Sequence, residues 1–373
     1  MPAAALEIDW FLPTGGDSRE VLPGPGSTSR PPNLAYLAQV ATACDDLGFH
    51  AVLTPCGTGC EDAWLATAAL LPLTRRLKFL VAFRPTLLTP TLAAQMASTY
   101  QRLSGGRLLL NIVTGAEPAE LARFGVFEDK DTRYERTGEF VSVLRGAWSG
   151  EPFDQAGTFF TVEGATTREV PNPVPPIYFG GASPAAERVA AEHVDVYLAW
   201  GEPPDMVAER VQRMRSLAAA AGRELRFGIR FHVITRPTDE EAWAVADGLL
   251  AGMSSEAIAT ARADFAATQS EGQRRMAELH GSDPSRLELH PNVWAGIGLV
   301  RGGAGTALVG SYEAVADRIA EYAELGFEAF ILSGYPHLEE AFWFGEGVMP
   351  ILRDRGLLPP EREDRPTSVF SFR

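Results

Sequence analysis

The chain has 373 residues, 46% of them hydrophobic, enough to bury the core of one elaborated α/β barrel or of two ordinary domains. A formal net charge of −15 argues against a nucleic-acid or anionic-membrane surface, and no apolar run approaches the roughly 18 residues of a membrane span. Cys44, Cys56 and Cys60 are an odd set that makes no disulfide framework. No second Cys/His cluster accompanies Cys56 and Cys60, so no metal is expected. The first residues include Glu7 and Asp9 and lack a basic n-region, which leads to the expectation of a soluble cytoplasmic protein.

Residues 6–13 read as a first strand, and the Pro/Gly/Ser-rich residues 14–32 are too many for a plain βα turn, the mark of a functional loop. Helical spacing follows over 34–47, then a short buried strand over 51–55, and Glu61 and Asp62 suit the first turn of the next helix. A third strand covers 77–83. Thr89-Pro90 predicts a helix start, with a hydroxyl cap before a proline at the first helical position. The fourth strand, 107–114, holds Asn111 in its middle, a buried amide that needs partners. A polar excursion over 115–131 leads to a helix through Tyr134 to Trp148, and part of a hairpin is expected over 157–164. The fifth strand, 177–179, enters Gly180-Gly181-Ala182-Ser183-Pro184. Ser183 can cap the following helix, and N–H groups converging there can hold a phosphate. A sixth strand over 194–200 and a helix over 204–221 come next.

The seventh strand, RFGIRFHVIT over 226–235, places Phe227, Ile229, Phe231 and Val233 on one face and Arg226, Gly228, Arg230 and His232 on the other. On an ordinary half-buried strand the second face would meet water. Because strand and helix patterns alternate along the whole chain, that face is instead expected to point into a barrel. Thr238 and Glu241 have capping-box spacing before a helix to Leu250. Residues 252–291 break the cadence and read as an insertion over the active end. RGGAGT, 301–306, reads as a flexible loop, 311–325 as the last barrel helix, and 329–333 as the eighth strand. The predicted architecture is a (β/α)8 TIM barrel in a single domain over 1–373. Its insertions lie at about 115–131, 150–175 and 252–291, and a detachable tail at 359–373. Asn111, Thr114, Trp200, Arg230, His232, Tyr335 and His337 all fall near the C-terminal ends of strands, which converge on one mouth in a barrel. Arg230 with Arg301 suits an anion, whether carboxylate, phosphate or sulfonate, and Tyr335, His232 and His337 are candidate proton donors or acceptors.

At these residues the chain resembles the two-component, FMNH2-dependent alkanesulfonate monooxygenases of the bacterial-luciferase-like superfamily. The motifs are WFLPT from Trp10, GCEDAW from Gly59, LKFLVAFRP from Leu77, GGRLLLNIVTG from Gly105, RYE from Arg133, PPIYFGG from Pro175, YLAWGEPP from Tyr197, FGIRFHVI from Phe227, NVWAGIGLVRGGAGTALVG from Asn292 and SGYPHLEEA from Ser333. They extend from residue 10 to about 345. The resemblance implies a barrel that takes reduced FMN from a separate NAD(P)H-dependent FMN reductase. With O2, the enzyme would cleave an alkanesulfonate to an aldehyde and sulfite, and it would be a homodimer or homotetramer. Arg230 and Arg301 would meet the sulfonate and the activated oxygen. Trp200, His232, Tyr335 and His337 would complete the pocket, and Cys60 would lie near the flavin. Asn111 and Thr114 would face the isoalloxazine, and Tyr134 with Gly181, Ala182 and Ser183 would hold the FMN phosphate.

The chain departs from the family pattern at Gly15, where histidine is usual, at Thr58, where arginine is usual, and at Ala182, where serine is usual. The loop after Gly15 differs as well, which bears on substrate identity more than on reaction class. Rival readings are a related monooxygenase of a sulfone or arylsulfonate, a deazaflavin F420-dependent dehydrogenase, and a non-catalytic flavin- or anion-binding barrel. The tail, ending SVFSFR, reads as a free end or as a segment docked over the mouth of its own or a neighbouring subunit.

Overall fold

The computed structural model describes residues 5–23, 27, 29–281 and 286–360. Eight parallel strands close on themselves: β1 Glu7–Phe11, β2 Ala51–Thr54, β3 Lys78–Phe83, β4 Leu108–Ile112, β5 Ile177–Gly180, β6 Val196–Trp200, β7 Arg226–Arg236 and β8 Ala329–Ser333. Each pairs with the next in chain order, and β8 returns to β1 through Glu7 opposite Ala329. This is the (β/α)8 barrel the alternating pattern predicts.

Alternation in sequence becomes two layers in space. Ala51, Leu80, Leu109, Tyr178, Val196 and Ile331 fill the inside of the barrel, whereas Phe79, Phe179, Phe227, Ile229, Phe231 and Phe330 join the layer packed against the outer helices. Arg226, at the lower end of β7, is bound to Glu328 at 2.7 Å and Glu7 at 3.0 Å and so closes the floor. Towards the upper end the same face carries Arg230, His232 and Arg236, of which Arg236 is paired with Glu340.

The starts of the α-helices are set by a side-chain cap in most cases, and four among the described residues, at Pro90–Ser104, Pro118–Arg123, Pro204–Ala220 and His337–Asp354, have none. Asp62 caps Ala63–Leu70 by accepting from the Leu65 N–H at 2.9 Å, and Thr238 and Glu241 form the expected capping box before Asp239–Ala251. Thr89 makes no side-chain cap, so Pro90, with its fixed φ and no N–H to satisfy, defines the start of Pro90–Ser104. The 115–131 excursion contains a short helix, Pro118–Arg123, and the hairpin lies at Phe153–Ala156 and Thr161–Ala165.

Beyond β7 the structure adds an element that the sequence pattern does not reveal. β8 pairs with β7 only as far as His232, and from His232 to Arg236 β7 pairs instead with a ninth parallel strand, Ala307–Ser311. Between them lie helices Asp239–Ala251, Ser255–Ala267 and Glu271–His280, then a small antiparallel excursion and a 3-10 turn at Gly296–Leu299. The insertion is fastened by Glu202, a buried carboxylate just after β6. It receives Arg210 at 3.0 Å and Arg275, on Glu271–His280, at 2.8 Å. No helix among the described residues is long and apolar enough to cross a membrane.

Removing one member of a buried ion pair strands its partners, at a cost of about 3 kcal/mol. Glu202→Gln is expected to lower the thermal midpoint and to expose the 252–281 segment to limited proteolysis, measured side by side with wild type.

Candidate functional site at the barrel mouth

Arg230 is buried, and its guanidinium has no carboxylate partner among the described residues. It donates to the carbonyl of Phe231, to that of Ile331 at 3.3 Å, and through Nη2 to the Ser333 hydroxyl at 2.7 Å. Burial, reinforced by the charge of Arg301, pushes its pKa down to about 9, so it remains a cation at neutral pH. Among the described residues the Arg301 guanidinium likewise meets no carboxylate, and it donates to the Gly302 carbonyl at 3.3 Å. Both guanidinium carbons lie over the ring of Phe11, at 5.1 and 6.0 Å from its centroid. Two cations with no counter-ion among the described residues thus share one aromatic floor at the upper end of β1 and β7.

The two mouth histidines differ in what their nitrogens are free to do. His232 is fully buried. Its Nε2 lies 3.1 Å from the Ala304 carbonyl, which can only accept, so Nε2 carries the proton and Nδ1 accepts from the Ser333 hydroxyl at 2.8 Å. Burial, with the charges of Arg230 and Arg301, holds its pKa well below the ordinary value and keeps the ring neutral. With both nitrogens engaged and its ring stacked on Tyr335 at 5.5 Å, His232 is suited to positioning rather than to proton exchange. His337 is bound through Nδ1 to Asp17 at 2.8 Å, and its backbone N–H donates to the same carboxylate at 2.9 Å. Its Nε2 has no hydrogen-bond partner among the described residues.

The RGGAGT loop is not the free flap its glycines suggest. His232 N–H donates to the Thr306 carbonyl at 2.9 Å, the Thr306 hydroxyl donates to the Gly201 carbonyl at 2.6 Å, Gly303 N–H donates to Gln273 at 2.7 Å, and Gly298 N–H donates to the Gly305 carbonyl at 2.8 Å. The insertion seals the opposite side. Trp200, at the end of β6, packs on Gly272, and Gln269 accepts from Arg133 at 3.2 Å and donates to the Ala116 carbonyl at 3.3 Å.

On the β2 to β5 side, Asn111 faces the lumen with no side-chain partner among the described residues, and Thr114 follows it with none either. Cys60 is half-buried, and burial raises its thiol pKa, with Thr14 and the cations Arg301 and Arg84 opposing. A Cβ on Gly15 would lie 3.0 Å from the Gly59 carbonyl oxygen and 3.8 Å from Cys60 Sγ, so the loop after β1 is drawn against the cysteine loop. Thr58 is tied down in its turn: its N–H donates to Glu120 at 3.0 Å and its hydroxyl accepts from Arg123 at 3.3 Å, while Glu120 also pairs with Arg84. At the end of β5, Ser183 caps Pro184–His193 by accepting from the Ala186 N–H at 3.3 Å. The N–H groups of Gly181, Ala182 and Ser183 meet no acceptor among the described residues. A Cβ on Gly181 would lie 2.5 Å from Ala186 and 3.4 Å from the Tyr134 hydroxyl, so this cradle has room for a ligand only because the residue is glycine.

Of the residues expected from the sequence, the structure brings Arg230, His232, Arg301, Tyr335 and His337 together around Phe11 and Ser333, while Trp200 lies against Gly272, Cys60 beside Gly15, Asn111 and Thr114 at the end of β4, and Tyr134 beside the Gly181–Ser183 turn. The sequence reading missed Phe11, Asp17 and Ser333. Ser333 is signalled only by being a hydroxyl at a strand's C-terminal end. Asp17 is one acid in a polar loop, and nothing local marks it as buried. Residues 361–373, where the docking tail was expected, lie outside the described residues. Among the described residues no group of three or more His, Cys, Asp or Glu side chains is placed to hold a metal.

Fold and mouth define a (β/α)8 barrel with a cationic, insertion-covered site at the strands' C-terminal ends. A profile of the luciferase-like monooxygenases matches residues 6–329, and the chain belongs to that family. Among solved structures it is similar to riboflavin lyase (RcaE), determined with modified FMN and riboflavin, with TM-score 0.80 and 23% identity, covering 95% of this chain and 93% of that one. It is also similar to the long-chain alkane monooxygenase LadA, with TM-score 0.76, 21% identity and coverage of 96% and 94%. EDTA monooxygenase (EmoA) from Chelativorans sp. BNC1 gives 0.73, 19%, and 95% of each chain. At these identities the likeness is one of fold.

A Cβ on Gly305 would lie 2.4 Å from the Gly298 Cα, backbone against backbone, with no flexible side chain to yield. Gly305→Ala is expected to cost about 1–3 kcal/mol and to shift the Ala304 carbonyl off His232, read as faster amide exchange over 301–306 with the barrel strands unchanged.

Proposed function

We propose that this protein is a two-component flavin monooxygenase that uses reduced FMN and O2 to convert an alkanesulfonate into an aldehyde and sulfite. The observation that carries the reading is the pair Arg230 and Arg301, two cations over one ring with no carboxylate partner among the described residues. An anionic substrate group supplies the missing charge, and forked guanidinium donors match the three oxygens of a sulfonate. The flavin would be held by the Gly181–Ser183 cradle with Tyr134 at its phosphate, and by Asn111 and Thr114, whose side chains have no partner among the described residues, at its ring. These residues fit the group: backbone donors at a helix N-terminus favour phosphate, and unpartnered amide and hydroxyl groups suit a heterocycle edge.

Bound reduced flavin supplies the two electrons that oxygen needs, delivered to the protein by a separate NAD(P)H-dependent FMN reductase. This chain's residues bind and orient. Arg230 is preorganised by three hydrogen bonds and so spends little on reorganisation when negative charge develops beside it. Arg301 rides on a loop whose neighbours are pinned to β7, leaving its own side chain free to reach an anion. The Ser255–Ala267 and Glu271–His280 helices exclude water from the mouth and protect reactive oxygen chemistry from discharge.

Sulfite release from C1 to C10 and aromatic sulfonates, with FMN, NADH and a generic flavin reductase, tests the reading in air and under nitrogen. Oxygen-dependent sulfite is the expected result. Arg230→Ala is expected to abolish it with circular dichroism unchanged, and wild-type release by that variant would remove Arg230 from the mechanism. Gly181→Ala keeps its N–H but drives a methyl against Ala186 and displaces the turn, and at an overpacking cost of about 1–3 kcal/mol it is expected to weaken FMN binding by about tenfold, read by flavin fluorescence titration.

A further inference from the structure

The loop after β1, where the chain departs from its family's pattern, supplies a buried carboxylate to the mouth. Asp17 accepts from the His337 N–H, the His337 Nδ1, the Tyr36 hydroxyl and the Ser18 N–H. Burial works to raise its pKa, but His337 and Tyr36 hold it below the ordinary carboxylate range, so Asp17 is an anion. An ionised carboxylate only accepts, and the proton between it and His337 therefore sits on Nδ1. That leaves Nε2 of His337 with its lone pair and no partner among the described residues.

The placement of the ring matters as much as its tautomer. Phe11 is the common neighbour: the His337 ring lies 5.5 Å from it, and the guanidinium groups of Arg230 and Arg301 lie over it. An anion gripped by the two arginines brings its first carbon beside this imidazole. His232 cannot serve there, because Ala304 and Ser333 occupy both of its nitrogens. From these contacts we infer that Asp17 is a positioning residue, holding His337 as its Nδ1–H tautomer so that His337 Nε2 accepts the proton lost from the carbon bearing the anionic group.

This rests on the sulfonate reading above, and the chemistry of that reaction requires such an acceptor. In RCH2SO3⁻ + O2 + FMNH2 → RCHO + SO3²⁻ + FMN + H2O + H⁺, the C–S electron pair leaves with sulfite. One oxygen atom becomes the aldehyde oxygen and the other becomes water. The flavin provides two electrons, and one hydrogen of the first carbon departs as a proton. A neutral imidazole braced by a carboxylate is the group suited to take it near neutral pH. The charged and titratable groups facing His337 are Asp17 and Tyr36 from the β1 side, Arg230 and His232 from β7, Arg301 from its loop and Tyr335 from its own turn. Burial and the two arginines depress its pKa while Asp17 raises it, with the net shift downward, so the ring is neutral above pH 6.5. Activity that depends on the neutral ring is lost only as pH falls through that lowered value. Removing the charge of Asp17 lowers it further and moves the acid limb to lower pH.

The test uses the full chain labelled with 15N-histidine, with the His337 signals identified by their loss in His337→Gln. Wild type is expected to show His337 as the Nδ1–H tautomer, and Asp17→Asn to shift it towards Nε2–H. With an alkanesulfonate, Asp17→Asn is expected to lower kcat by about a hundredfold or more, with KM changed by less than about threefold. Tyr36→Phe removes a different bond to Asp17 and controls for loosening of the loop; it is expected to keep the tautomer and most of kcat. An Nε2–H tautomer in wild type overturns the assignment, as does full kcat in Asp17→Asn. If no sulfonate yields sulfite, the substrate reading and its proton step both fall, while the tautomer still decides whether Asp17 orients His337.

Discussion

A guanidinium buried without a carboxylate is the constraint around which this barrel mouth is arranged. Removing an ion from water costs several kcal/mol even after relaxation, and Arg230 recovers part of that through two carbonyls and the Ser333 hydroxyl. Neutral acceptors leave its charge uncancelled. The same serine passes its own proton to His232, and His232 spends its other nitrogen on the loop that carries Arg301. One chain of hydrogen bonds therefore runs from the first cation to the backbone beside the second, and anything that moves Arg230 is felt at Arg301.

Exclusion of water is achieved by fastening rather than by a hinged flap. Glu202 joins the outer helix Pro204–Ala220 to the insertion through Arg210 and Arg275, and Gln273 ties the same insertion helix to Gly303. The insertion then crosses to the β4 side, where Gln269 meets Arg133 and Ala116. Of the two cations beside this cover Arg230 is buried, where its pull on an anion is strengthened, and Arg301 is partly exposed. The departures at Gly15 and Thr58 fall within this frame: the glycine lets the first loop lie on the cysteine loop, and the threonine engages Glu120 and Arg123.

The opposite end of the barrel shows the same residue types in the reverse role. Arg226, on the same strand face as Arg230, is paired with Glu7 and Glu328 and so is electrically spent. Two arginines four residues apart on one strand become a floor and a site through the acids that reach one and not the other. Such partnerships are decided by residues distant in the chain, which is why the strand by itself identified both arginines as inward without separating their duties.

The sequence by itself determined the barrel, because burial of alternate residues on eight short strands and capping signals such as Thr238 with Glu241 are local and periodic. It also determined which ionisable groups face inward, since period-two geometry fixes the face of Arg230 and His232 once the barrel is granted. Only the tertiary structure decided that His232 has no open nitrogen and His337 has one, that the glycine-rich loop is anchored, that β7 continues into a ninth strand, and that Asp17 reaches the mouth. Each of these depends on a hydrogen bond between residues far apart in the chain, whose energy rests on distance and direction in space and leaves no period or composition to read.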